Sequence, residues 1–383
     1  MLAGLAEVLG ERALAMFDVF SGASVGAINA AYLAAHADRA DGGIPELESL
    51  WMSLRLEEHV RPRPLGFVHG TRMLQGRRAE ADGPASRWGH ALLDPRPFET
   101  LIERRIPWER LHTNISSGLV HSLIVSALDI GTGKTNTFVE LAPTGHCVPL
   151  PSRDPRRVTR IQSITADHVL ASAALPLLFP ARRLDGSYFC DGGLRFNTPL
   201  APAIRTGAAK LVVIPLRAVQ VPATESDVRE PFPNPVFLLG KILDALLQDP
   251  VDYDLQVIER FNRILDVMAK LVPRFVREQI ARVVEAERGL PYRRLYTLVI
   301  RPSQNIGVLA LDHVRRHGTR KAGFAAKLLL EKAASLGAHI EADFLSFVLF
   351  DGGFAKTLIE LGRGDVRSRA AEVEAFFAIS QKG

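Results

Sequence analysis

The chain has 383 residues, 47% of them apolar and 23% charged, with 47 basic side chains against 42 acidic ones and a net charge of +5. That balance excludes a disordered or fibrous chain, and the dispersal of Arg and Lys among Asp and Glu excludes the concentrated basic stripe of a nucleic-acid binder. The two cysteines, Cys147 and Cys190, have no metal-ligand spacing and offer no disulfide framework, and no apolar run reaches the roughly 18 residues of a membrane-spanning helix.

Met1, Leu2, Leu5, Val8 and Leu9 share one helical face, so an amphipathic helix is expected first, with Gly10 as its stop. It has no basic flank before its apolar residues and so does not read as a signal peptide. A cytoplasmic location with peripheral membrane contact is the expectation. The short apolar strand "FDVF" follows, then a serine turn, then a helix of small residues, "SVGAINAAYLAAHA". From about Asp38 to Arg110 the chain is rich in Pro, Gly and Arg, with helices expected around "ELESLWMSL" and "PRPFETLIERRI".

Further along, "SLIVSALDI" and "TNTFVEL" flank "GTGK" as a hairpin. A helix from about Ala166 to Ala174 ends at "LPLLFP", short strands flank "RRLDGSYFCDGG", and a helix at "PLAPAIRTGA" leads into the buried strand "KLVVIPL". Residues from about Pro233 to Arg288 read as helical, with Leu255, Ile258, Phe261, Leu265, Met268 and Leu271 in one apolar stripe that should pack on the core, the alternative being a lipid-facing surface. "LYTLVIRP" returns the chain to a sheet, and helices fill most of Leu309 to Phe377. Strands alternating with helices point to α/β layers.

The chemistry concentrates in two places. Gly22, Ser24 and Gly26 form Gly-x-Ser-x-Gly between a strand and a helix. A serine there adopts a strained turn, with small neighbours so that other segments can approach, and the helix amino terminus faces the developing oxyanion. The N–H of Val25 is the expected oxyanion donor. The second place is Asp191 in "YFCDGGLRFNTPL", where Gly192 and Gly193 let the backbone turn tightly beside an acid at a strand end. Its structural alternative is a plain turn aspartate. Asp351 in "FLSFVLFDGGFAK" repeats the tripeptide without the downstream "NTPL" and is read as structural, as are His121, His168 and His313. So early a serine leaves no room for the preceding sheet of an α/β-hydrolase.

Taken in order, "FDVFSGASVGAINAAYL", "SALDIGTGKTNTF" and "ASAALPLLFPARRLDGSYFCDGGLRFNTPLAPAIRTGA" resemble the patatin-like phospholipase family, particularly its bacterial members, over roughly Phe17 to Arg217. The resemblance implies a three-layer α/β/α sandwich, here with an additional helical C-terminal portion, and hydrolysis of lipid or phospholipid acyl esters through an acyl-enzyme. Ser24 matches the nucleophile and Asp191 the dyad acid. No residue suggests a bound cofactor, and the dyad needs no metal. "ALPLLFP" could line an acyl channel, and Arg182, Arg183, Arg156 and Arg157 are candidates for head-group contacts.

Family members carry a first strand and a glycine-rich oxyanion loop ahead of the first helix, whereas this sequence starts within the region matching that helix. The expectation is therefore a core of residues 1–217 that is incomplete at its amino end, a helical insertion with a returning strand over 218–305, and a helical region over 306–383. Two readings stay open: a serine acyl hydrolase, or a catalytically impaired relative acting in lipid binding or regulation.

Overall fold

A computed structural model describes residues 1–10, 13–62, 91, 93–143, 156–176, 178–194, 200–218, 251–317, 345–347 and 349–379. In chain order these form helix α1 (Leu2–Leu9), strand β1 (Val19–Gly22), α2 (Val25–Ala35), α3 (Ile44–Met52), α4 (Leu56–His59), β2 (Arg61–Pro62), β3 (Leu93–Asp94), α5 (Arg96–Arg105) and α6 (Trp108–Ser116). There follow β4 (Ser122–Asp129), β5 (Thr135–Leu141), β6 (Arg157–Ile161), α7 (Ala166–Ser172), β7 (Arg182–Leu184), β8 (Ser187–Asp191), α8 (Leu200–Arg205) and β9 (Lys210–Val213). The last elements are α9 (Val251–Leu271), α10 (Arg274–Arg288), β10 (Tyr296–Val299), α11 (Ile306–His317), α12 (Gly352–Arg367) and α13 (Ala370–Ala378).

Strand β4 organises the molecule. Its apolar run feeds both faces of the sheet, which is what a strand covered on both sides requires. Leu123, Val125 and Ala127 pack with Ala27, Ile28 and Ala31 of α2 and with α3, α5, α6 and α7. Ile124 points the other way, to Leu200 and Ala203 of α8 and Val251 and Ile258 of α9. The result is a mixed sheet between two helical layers, with further helices toward the carboxyl end.

One edge of β4 pairs along almost its whole length with β5, antiparallel, across the expected hairpin. The other edge is shared by two strands. β1 runs parallel to β4 over Ser122 to Val125, and β8 runs antiparallel to it over Ala127 to Asp129. The carboxyl ends of β1 and β8 therefore meet head to head beside Ser126. This register, more than any local motif, determines where the site forms.

Several expectations shift in detail. The strand expected at "FDVF" begins two residues later, at Val19. The strands expected to flank "RRLDGSYFCDGG" lie inside it, as the β7–β8 hairpin turning at Asp185 and Gly186. Both turn residues have positive φ, 48° and 83°, which a two-residue hairpin of the favoured hand requires and Asp-Gly supplies. Strand β6 and helix α6 had no sequence expectation. β9 and β10 pair with each other, in parallel, as a separate two-stranded sheet. The long helical stretch is described from Val251 and breaks at Pro273; its start at Pro233 lies outside the described residues. Its stripe packs on the core at Leu255 and Ile258, while Leu271 at the far end is exposed.

The carboxyl-terminal helices dock on the start of the chain. Leu5 of α1 shares a cluster with Val366 of α12 and Val373 and Phe376 of α13. Arg363 of α12 binds Glu48 of α3 and Glu7 of α1, at 2.7 and 3.0 Å.

Candidate active site

Ser24 sits between β1 and α2 with φ 54° and ψ −131°. A side-chain-bearing residue at positive φ costs on the order of 1 to 3 kcal/mol and persists only where its surroundings fix it. The surroundings here are tight on one side. A Cβ placed on Gly22 would lie 2.2 Å from the Gly26 carbonyl oxygen and 2.6 Å from the Ala27 nitrogen. Both are helix backbone and cannot swing aside, so glycine at 22 is a packing requirement. Gly26 itself fronts open space, with nothing within 4 Å of an added Cβ.

These positions give a contrast. Gly22→Ala is expected to destabilise the fold by about 1 to 3 kcal/mol through overpacking. Gly26→Ala should be neutral or stabilising, by up to about 1 kcal/mol, because alanine favours the helix. Urea unfolding of the two variants checks this; equal midpoints would contradict it.

The Val25 N–H is the first amide of α2, so it has no acceptor within the helix, and it has none among the described residues. The next amides are occupied: Gly26 N–H donates to the Ala23 carbonyl and Ala27 N–H to the Ser24 carbonyl, both at 2.9 Å. Among the described residues, the arrangement leaves the Val25 amide as a free donor beside the serine, at the positive end of the helix dipole.

Asp191 ends β8 and is fully buried. Oδ1 accepts the Gly193 N–H at 2.7 Å, while Oδ2 has no hydrogen bond of good geometry. Burial pushes the carboxyl up to about 7, against the smaller opposing pulls of the Ser24 hydroxyl and the Gly193 N–H. The Ser24 hydroxyl thus stands close enough to favour the charged form of the carboxyl. Gly192 is the close-approach residue: a Cβ there would lie 2.0 Å from the Ser126 carbonyl oxygen.

The structure also brings in residues without a sequence signal. The Ser24 N–H donates to Ser172 Oγ at 3.0 Å, Ser172 Oγ donates to the Ser126 carbonyl at 2.7 Å, and the Asp191 N–H donates to the Ala174 carbonyl at 2.9 Å. Ser172 ends α7 inside "ASAALP", and its only local sign was a hydroxyl among small residues.

Other candidates have structural occupations. Asp351 caps α12, accepting the Phe354 N–H at 2.9 Å, and pairs with His313 at 3.0 Å. Gly352 there is close against the Met52 carbonyl, so both Asp-Gly-Gly segments use their first glycine to admit a neighbouring backbone. His121 meets the Thr206 carbonyl, and His168 belongs to the capping box of α7. Arg182 is enclosed by Glu99, Glu103 and Asp167, which removes it as a head-group contact. Cys147 lies outside the described residues, as do residues 195–199, where "NTPL" begins. Among the described residues no group of three or more His, Cys, Asp or Glu could hold a metal ion.

The family model for Patatin-like phospholipase matches residues 1–204, more than half of the 383-residue chain. A search of curated proteins gave no match. With a strained serine at a strand-to-helix turn, a buried aspartate at the facing strand end and that match over the same residues, the chain belongs to the patatin-like phospholipase family, a family of lipid acyl hydrolases.

Proposed function

We propose that the protein hydrolyses acyl esters of lipids through Ser24 as nucleophile and Asp191 as its base. The observation that carries this reading is the head-to-head meeting of β1 and β8 on one edge of β4, which sets the strained serine against a buried carboxyl. Asp191 takes the proton of the Ser24 hydroxyl as Oγ attacks the ester carbonyl carbon. The carbonyl oxygen becomes an oxyanion, and the Val25 N–H donates to it. Collapse breaks the ester C–O bond, the leaving alcohol takes the proton from Asp191, and an acyl-Ser24 ester remains. Water, deprotonated by the same carboxylate, then attacks the acyl carbon; the bond from that carbon to Ser24 Oγ breaks, Oγ takes back the proton from Asp191, and the fatty acid leaves.

The raised pKa suits this work. A carboxylate at an ordinary pKa near 3.9 is a weak base at neutral pH, whereas one titrating at about 7 is matched to it. Gly22 and Gly192 serve the chemistry by admitting the backbones that hold the two side chains, and the Gly193 N–H holds Asp191 Oδ1. The experiment that tests the reading is release of free fatty acid from short-chain esters and from phospholipid, with Ser24→Ala as the control. Equal release by the two proteins would overturn it.

Acyl lipids aggregate in water, so we further propose peripheral contact with a lipid surface. Around the turn between α9 and α10, Leu271 is 77% and Phe275 64% exposed, each directly following a cationic residue, Lys270 and Arg274. Among the described residues no helix is long and apolar enough to cross a membrane, and an apolar tip with cationic flanks is suited to the interface instead. Anionic phospholipid vesicles should co-sediment the protein several-fold better than the variant carrying Leu271→Asp and Phe275→Asp. Equal sedimentation of the two proteins would contradict the contact.

A further inference from the structure

We infer that Ser172 is a positioning residue for the reaction: its hydroxyl sets the serine turn against the edge of β4, and the same turn of chain holds the acid. The inference rests on the assignment of Ser24 and Asp191 given above. Along the shared edge of β4, β1 pairs as far as Val125 and β8 begins at Ala127, so Ser126 falls in the gap between them. Its carbonyl accepts the Ser172 hydroxyl at 2.7 Å. The oxygen of that hydroxyl in turn accepts the Ser24 N–H at 3.0 Å. One fully buried side chain therefore acts as donor and acceptor at once, and it ties the nucleophile's own amide to the sheet.

Two residues on, the Ala174 carbonyl accepts the Asp191 N–H at 2.9 Å. The segment from Ser172 to Ala174 thus grips the backbone of both members of the dyad. That matters because Ser24 is held at a φ of 54°, a conformation that relaxes if its surroundings do not fix it. Without the Ser172 hydroxyl, the Ser24 N–H and the Ser126 carbonyl lose this shared partner together, and the turn that carries Oγ gains freedom. The Ser172 side chain is itself fully buried and so offers no surface for substrate to touch. The expected signature is a fall in the rate of attack with little change in binding.

The test uses the full chain, a fluorophosphonate that phosphonylates activated serines, and a short-chain ester. In the parent protein the reagent should label Ser24, as located by peptide mass. Ser172→Ala should slow labelling and kcat by roughly 100-fold, the cost expected of a misplacement of about 1 Å, with KM within about threefold of the parent. Should Ser172→Ala fail to fold, Ser172→Cys keeps the shape while its thiol hydrogen-bonds weakly, and the same slowing is expected there at an unchanged thermal midpoint. Labelling and kcat at the parent's level in a folded variant would overturn the inference, as would a loss carried by KM alone. A parent protein that is not labelled at Ser24 would instead overturn the nucleophile assignment, and this inference with it.

Discussion

Ser24→Ala is expected to lower ester hydrolysis on the order of 10⁴ to 10⁶-fold, the range over which removal of an enzyme's nucleophile is felt. The size follows from what the variant keeps and loses. The Val25 N–H and the helix dipole remain to stabilise an oxyanion, so water-mediated hydrolysis above background can persist. What disappears is the covalent route, in which one difficult attack by water is replaced by two easier steps. Alanine also has the same strained backbone to adopt, and its Cβ occupies the place of the serine's own. The variant is therefore expected to fold, and a thermal midpoint near the parent's would separate lost chemistry from lost structure.

Asp191→Asn is expected to lower kcat/KM by about 10² to 10⁴-fold, the usual contribution of a positioned general base, and at the same time to raise stability at alkaline pH. The second effect follows from the sign of the shift. The folded carboxyl titrates at about 7, above the value of about 3.9 expected in the unfolded chain. Between those values the folded state binds more protons, so the contribution of Asp191 to stability is fully present below about pH 4 and is lost as pH rises through about 7. At pH 8 the parent holds a buried, underpartnered charge that asparagine does not carry. The parent's activity should run in the opposite sense, rising through about pH 7 to a plateau as the base ionises. Thermal midpoints of parent and variant at pH 5 and pH 8 check the first trend, and the pH profile of kcat/KM checks the second. A variant less stable than the parent by the same amount at both pH values would contradict the account of the buried charge.

Much of this site was legible before the fold was known. Small residues around Ser24 have one strong physical use, a tight strand-to-helix turn, and the structure places Ser24 at positive φ with Gly22 pressed on the helix backbone. Asp191 was legible because an acid followed by two glycines at a strand end marks a close backbone approach, which the Ser126 carbonyl against Gly192 supplies. The same reasoning shows why Asp351 resembles it: the local requirement is shared and only the neighbours differ.

What the sequence withheld is tertiary. Nothing in "SLIVSALDI" announces that two strands divide one edge of β4, so neither the gap at Ser126 nor the role of Ser172 could be read locally. Arg182 looked free in sequence because its three carboxylate partners come from α5 and from the start of α7. Leu271 looked like a core residue because periodicity reports the face of a helix and not where the core beneath it ends.

The most direct test of the central claim is the mass of the protein quenched during turnover of a slowly deacylated short-chain ester. The account predicts a stoichiometric acyl adduct on the peptide containing Ser24, forming at a rate that rises with pH through about 7 in step with ionisation of Asp191 and absent in Ser24→Ala. Turnover with no adduct on that peptide, or an adduct on another residue formed equally well by Ser24→Ala, would contradict it.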